Sequence, residues 1–269
     1  MVIALLLGCV LAGPFGLLVL ALLVSLGGAF EFMRTGAALG AKPVVELLLL
    51  AGIGLPVAAW YFGNDPLIFF ALAGALIWLA TMLTGAILLA QEPNRQTATR
   101  LAFGPLFLVW VPFGIAHLQL LYTAASQTSP LASGADPALK TLVLLLLALW
   151  VSDSFAYLFG SKFGKRKLIP HISPHKSWFG LFAGMLGAMA VAVAGTYGLG
   201  GNLNTGLIFG ALVAVLAPLG DLFKSLLKRS LGVKDFGSLI PGHGGLLDRF
   251  DVVLFVAPAI YWLLFNPLG

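Results

Sequence analysis

Eight long, nearly uncharged apolar runs leave this chain few ways to fold. They are roughly Val2–Phe30, Val44–Phe62, Pro66–Ala90, Leu101–Tyr122, Ala138–Phe159, Trp178–Leu199, Thr205–Leu222 and Val252–Leu268. Each is close to or above the ~20 residues that carry a helix across a bilayer's hydrocarbon layer. In lipid only helices and closed barrels satisfy their own backbone groups, and none of the runs alternates polar with apolar as a barrel strand does. The expected fold is therefore all-α: a polytopic membrane protein of eight or nine transmembrane helices. The count turns on Val2–Phe30, which is broken by Gly13-Pro14 and makes either one kinked span or a half-span followed by a full one. Only 9% of the 269 residues are charged, against about 25% in a soluble domain. That leaves a single membrane domain over 1–269, with 1–140 as scaffold spans, 150–251 carrying the chemistry and 252–269 as the last span. Residues 1–12 lack the basic start of a cleavable signal peptide and read as mature membrane sequence. The single Cys9 excludes an internal disulfide.

The charges that remain are placed unevenly. Fourteen of the fifteen Lys and Arg residues fall in alternate loops, the exception being Lys140. Basic loops stay on the cytosolic side of a membrane, so the two richest, 160–177 and 223–251, are expected to share the cytosolic face, with the C-terminus on the outer side. The net charge of +5 is then explained by anionic lipid, and no nucleic acid is expected as a partner.

The densest polar stretch is Ser225–Asp251, SLLKRSLGVKDFGSLIPGHGGLLDRFD, entered and left through membrane-grade sequence. Asp221, Lys224, Ser225 and Lys228, at i, i+3, i+4 and i+7, share one side of a helix, and Asp248 and Asp251 share a face at the start of the last span. One carboxylate at a helix start is ordinary capping. Three aspartates at membrane depth repel one another unless cations sit between them, and intramembrane acids are functional by default. Hard oxygen ligands with room for phosphates suit Mg2+. Gly244-Gly245 allows close backbone approach, and Lys228, Arg229, Lys234 and Arg249 can neutralise phosphate charge. His243 gains weight as a site residue from these neighbours. These residues point to a metal–phosphate site.

A second constellation runs from Asp153 to Lys176. Its lysines fit a positive-inside loop, but Asp153 lies inside an apolar run, where an unpaired charge is costly. Ser173, Lys176 and Ser177 face the same interface. Glu31 and Arg34 mark another interface, Glu46 reads as a cap, and His117 as a hydrogen-bonder between helices. Walker A, His-Glu-x-x-His, CxxC and Gly-x-Ser-x-Gly patterns are all missing, so no covalent nucleophile is indicated. Phosphoryl chemistry needs none, since positioning and charge neutralisation carry it.

Ser225, Lys228, Arg229, Lys234, Asp235, Gly237, Pro241, His243, Gly244, Gly245, Asp248, Arg249 and Asp251 resemble, without a gap, the signature of the phosphatidate cytidylyltransferase (CDP-diacylglycerol synthase) family. Asp153–Tyr157, Phe163-Gly164-Lys165 and Ser173–Ser177 resemble further blocks of that family in the same order. The resemblance covers about 150–251. It implies that CTP and phosphatidate are joined to give CDP-diacylglycerol and pyrophosphate in phospholipid biosynthesis, with Mg2+ as cofactor and room for a second, monovalent cation. It implies Asp221, Asp248 and Asp251 as metal ligands and catalytic groups together with Lys228. Ser173, Lys176, Ser177, Arg229, Lys234, His243, Gly244, Gly245 and Arg249 would bind substrate. The expected setting is a bacterial cytoplasmic membrane, and a homodimer is compatible with the sequence. Two positions depart from the pattern: Phe179 and Lys224 stand where the family usually has acids. Extra positive charge there would weaken magnesium, replace a monovalent cation, accompany another lipid acceptor or mark a poorly active paralogue. A CTP-dependent lipid kinase and a transporter are the rival readings.

Overall fold

A computed structural model describes residues 2–38, 45–89, 95–237, 239 and 244–265. The long apolar runs are helical. In chain order the helices are α1 (Val2–Leu11), α2 (Gly13–Ala38), α3 (Val45–Phe62), α4 (Pro66–Leu88), α5 (Arg95–Trp110), α6 (Pro112–Gln127) and α7 (Pro137–Phe163). A two-stranded ribbon, β1 (Lys167–Ile169) and β2 (Ser173–Ser177), precedes α8 (Trp178–Gly198), α9 (Leu203–Ser230) and α10 (Leu247–Leu264).

The breaks follow from residue chemistry. Gly13 has φ +68°, open to glycine at little steric cost, and Pro14 follows within the first turn, where its missing N–H is not needed. The first run is therefore a short helix followed by a full one. Pro112 likewise opens α6 after a break at Val111, splitting the run that begins at Leu101. Side-chain caps start other helices. Asp65 accepts from Ile68 N at 3.3 Å, Asp136 from Leu139 N at 3.0 Å and Ser177 from Gly180 N at 3.2 Å. Each satisfies one of the orphan amides of a helix start.

Among the described residues, six helical segments are long and apolar enough to cross a membrane: Gly13–Thr35, Pro66–Leu88, Thr97–Gln127, Pro137–Phe163, Trp178–Gly198 and Leu203–Ser230. The chain is a multi-pass membrane protein. Among the described residues, α3 offers only the shorter apolar stretch Leu49–Phe62, and α10 begins with Asp248, Arg249 and Asp251 in its first two turns.

Beside the helices there is one small extended element. The connection between α7 and α8 forms an antiparallel ribbon, with Lys167 opposite Ser177 and Ile169 opposite Ser173. Pro170 and Pro174 bar a helix there and push the residue before each toward extended backbone. The ribbon is too short to leave an alternation in the sequence.

Contacts within the chain gather into two compact units. One comprises Met1–Leu120 with Ser230–Phe250; the other comprises Leu121–Arg229 with Asp251–Pro267. In the first, an aromatic cluster forms the core: Phe32 stacks on Phe103 at 3.9 Å between ring centres, with Phe107 and Phe236 around it. In the second, α7 and α8 lie backbone to backbone. A Cβ at Gly180 would meet Ala156 O at 2.7 Å, and one at Gly184 would meet Ser152 O at 2.8 Å. Small residues at four-residue spacing (Ser152, Ala156 and Gly160 facing Gly180 and Gly184) allow the close approach by which helices associate in lipid.

Candidate active site

Within the second unit, a charged cluster sits where α9, α10 and the ribbon meet. One turn apart on α9, Asp221 and Lys224 form an ion pair of 3.1 Å. Lys224 Nζ also lies 2.6 Å from Asp251 Oδ2 on α10. The other oxygen of Asp221 pairs with Lys176 from β2. Gly220 makes the approach of α10 possible, since a Cβ there would meet the Phe255 side chain at 2.8 Å. Two carboxylates and two ammonium groups are thus interleaved. Their burial differs: Lys224 and Asp251 are 8% and 4% exposed, whereas the side chains of Asp221 and Lys176 are each 28% exposed.

The exposed half of the cluster opens onto a cavity of about 530 Å³, within the range of small-molecule sites. Asp153, Lys167, His175, Lys176, Ser177 and Asp221 supply its polar lining, and Ala156, Gly160, Gly180 and Gly184 its apolar wall. Small residues of the α7–α8 seam line one side of it, and Asp153 faces it beside Lys176 and Asp221, which resolves its place inside an apolar run. At the rim, Arg229 Nε donates to Ile172 O at 3.3 Å, tying the ribbon's turn to the end of α9.

Within the first unit, the loop leading into α10 is held from α2. Glu31, 1% exposed, accepts from Leu246 N at 2.8 Å and Leu247 N at 3.0 Å, capping the start of α10. Thr35, one turn on, donates to Phe236 O at 3.0 Å, and Asp248 accepts from Phe236 N at 3.2 Å. Gly244 has φ +83°, a region that costs other residues about 1–2 kcal/mol. Gly245 is buried, and a Cβ there would meet Glu31 Oε2 at 2.9 Å and Asp248 Oδ2 at 3.0 Å. Both glycines of the Gly-Gly pair are thus required by backbone shape.

Of the residues expected at a site, Asp221 and Asp251 are joined through Lys224, and Lys176 and Ser177 share the cavity with Asp221. Asp248 lies on α10 three residues before Asp251 and belongs to the other compact unit. Ser173 begins β2. Lys228 is half-buried at the end of α9, while Lys234 and Arg249 are exposed. His243 and Pro241 lie outside the described residues. Two features escaped the sequence reading. The cavity wall is traceable only to the four-residue spacing of small residues on α7. The capping role of Glu31 has no local signal, because its partners are more than two hundred positions away.

Comparison with known proteins decides the family. The sequence model of the cytidylyltransferase family matches residues 1–266. The chain belongs to that family. The phosphatidate cytidylyltransferase of Thermotoga maritima is 36% identical over 178 residues, covering 64% of this chain and 61% of the relative. That of Staphylococcus aureus is 41% identical over 128 residues, 47% of this chain and 49% of the relative. The uncharacterized protein YnbB of Escherichia coli is 36% identical over 201 residues, 74% of this chain and 63% of the relative. The matched stretch thus spans between about half and two thirds of the length of these relatives.

The site's residues suit the divalent ion that the resemblance implies. Among the described residues no three His, Cys, Asp or Glu side chains form a metal cage of their own. Mg2+ does not ask for one, being held by one or two carboxylates together with substrate phosphates. Each oxygen of Asp221 already faces an ammonium group, so a divalent ion would have to share or displace one of them.

Proposed function

We propose that this cytidylyltransferase-family protein transfers the cytidylyl group of CTP to phosphatidate, giving CDP-diacylglycerol and pyrophosphate. The observation that carries the reading is the cavity in which Lys176, Lys167 and His175 stand beside Asp221 and Asp153, against a wall of small and apolar residues. It offers cations for phosphate groups and an apolar side for a lipid. The names of the Thermotoga maritima and Staphylococcus aureus relatives support the same chemistry.

In this mechanism a phosphatidate phosphate oxygen forms a bond to the α-phosphorus of CTP while the bond from that phosphorus to the β-phosphate's bridging oxygen breaks. The leaving group is pyrophosphate. Lys176, half-exposed at the cavity, exchanges its carboxylate partner for substrate phosphate. Lys228, Arg229, Lys234 and Arg249 add positive charge for the triphosphate and lipid phosphate, and Ser173 and Ser177 help shape the nucleotide's side of the pocket. Gly244, Gly245 and His243 contribute through the loop before α10. Asp221, Asp248 and Asp251 are the residues that would hold magnesium beside the nucleotide phosphates, and the chemistry it would supply is neutralisation of charge on the departing pyrophosphate. The remaining apolar stretches, α3 and α10 among them, bring the spans to eight or nine. The charge bias of the basic loops supports a site on the cytosolic face of a cytoplasmic membrane, with the C-terminus outside.

CTP labelled at either phosphorus tests the reading. Label from the α-phosphate in the lipid product is expected; label from the γ-phosphate there would instead mean a CTP-dependent lipid kinase, and no label in lipid would remove both.

A further inference from the structure

The charged cluster contains one member that the mechanism leaves unused. Lys224 is buried, is absent from the cavity lining, and stands between two carboxylates from different helices at 3.1 and 2.6 Å. These are ion-pair separations, well beyond the 2.0–2.1 Å of a Mg2+–oxygen bond. An ammonium therefore fills the gap that two facing acids would otherwise leave for a metal ion. Lys176 also touches Asp221, but its position at the cavity lets it leave. Lys224 has no such exit: it is held on both sides, and Asp251, 4% exposed, has little water to replace it.

Charge counting sharpens the point. Asp221 and Asp251 are balanced by Lys176 and Lys224, so these four groups are together neutral before any metal arrives, and Asp153 and Lys167 add one further charge of each sign to the cavity lining. A neutral cluster has little long-range attraction for a divalent cation. A triphosphate changes the balance, because it brings negative charge and gives Lys176 another partner.

We infer that the Lys224 ammonium is a tethered cation that takes the place of a resident metal ion between Asp221 and Asp251, so that a divalent ion reaches this site only together with nucleotide phosphates. The role of the nucleotide rests on the proposed cytidylyl transfer; the tethered cation rests on the ion pairs alone. Lys224 acts as a positioning residue, holding two acids at a fixed separation.

Mn2+ titration of the purified full-length protein without nucleotide, read by electron paramagnetic resonance, tests this directly. Wild type is expected to take up no Mn2+ tightly. Lys224→Ala should gain about tenfold or more in Mn2+ affinity, and adding Asp251→Asn to that variant should remove the gain. Lys224→Arg, which keeps a fixed cation, should behave as wild type. Methylammonium should raise the melting temperature of Lys224→Ala and leave wild type unmoved. Tight Mn2+ uptake by wild type that disappears in Asp251→Asn would overturn the inference, as would a folded Lys224→Ala variant that responds to neither Mn2+ nor methylammonium. Should Lys224→Ala fail to fold, the wild-type titration still decides. None of these readouts needs turnover, so a wild-type protein that makes no CDP-lipid counts against the function reading alone.

Discussion

Two carboxylates in this protein are neutralised in different ways. Glu31 is held by backbone amides at the start of α10, whereas Asp221 is held by the ammonium groups of Lys176 and Lys224. Amides cannot leave without unfolding the helix start, so Glu31 is a permanent cap. The ammonium of Lys176, at the cavity, can swing away, so Asp221 can change partner. A fixed partner suits architecture and an exchangeable one suits chemistry. Substitutions at the two places should therefore separate stability from turnover.

The largest effect is expected where exchangeable charge is lost. Asp221→Asn should lower turnover by about 10²–10³-fold, the usual cost of removing one preorganised electrostatic group. Asp248→Asn should also abolish magnesium-dependent turnover while the protein still folds, because the amide oxygen can go on accepting from Phe236 N. Retained activity in either variant would count heavily against the assigned site.

At the fixed cap the pattern should invert. Glu31→Ala leaves the amides of Leu246 and Leu247 without their charged acceptor and should cost about 2–4 kcal/mol, read as a lower melting temperature in detergent. Glu31→Gln, which keeps an oxygen acceptor, should recover part of that loss. Lys176→Ala should do the reverse, raising the KM for CTP by about tenfold with little change in melting temperature, since its side chain is partly exposed. If Glu31→Ala raised the CTP KM at unchanged stability, the contrast between the two carboxylates would fail.

The α7–α8 seam gives a smaller effect. Gly184→Ala places a methyl against Ser152 O at 2.8 Å, and overpacking of this kind costs about 1–3 kcal/mol. Because Gly184 also lines the cavity, substrate affinity should fall with it. Lys140→Ala is the control. Its ammonium donates to Ser133 O in an exposed turn, and a surface change there should stay within about 0.5 kcal/mol and leave kinetics untouched.

Much of this was legible in the sequence, for identifiable reasons. Length and hydropathy alone dictate membrane helices, and Gly13-Pro14 marks the break in the first run; the helix starts at Pro112 and Pro137 come from the structure. The acids stood out because charge is expensive in apolar sequence; Asp153, Asp221 and Asp251 were visible on that ground alone. Other features depend on contacts between distant positions. The pairing of Lys224 with Asp251 joins two helices, and no periodicity within α9 announces it. Glu31 reads as an interface residue until α10 is seen to start upon it. The ribbon is invisible because eight strand residues, four of them proline or next to one, leave no strand pattern. Lys224 was noticed as a departure from the family's pattern, but its effect became physical only when its partners were known.

The central claim is that this site joins a nucleotide to a lipid phosphate using the charges gathered at Asp221. Purified wild type and Asp221→Asn, each given CTP, phosphatidate and Mg2+ and followed by phosphorus NMR, test it most directly. Equal amounts of CDP-lipid and pyrophosphate from wild type, with almost none from the variant, are the predicted result. Wild type releasing CDP and a phosphorylated lipid, or a variant as active as wild type, would contradict the account.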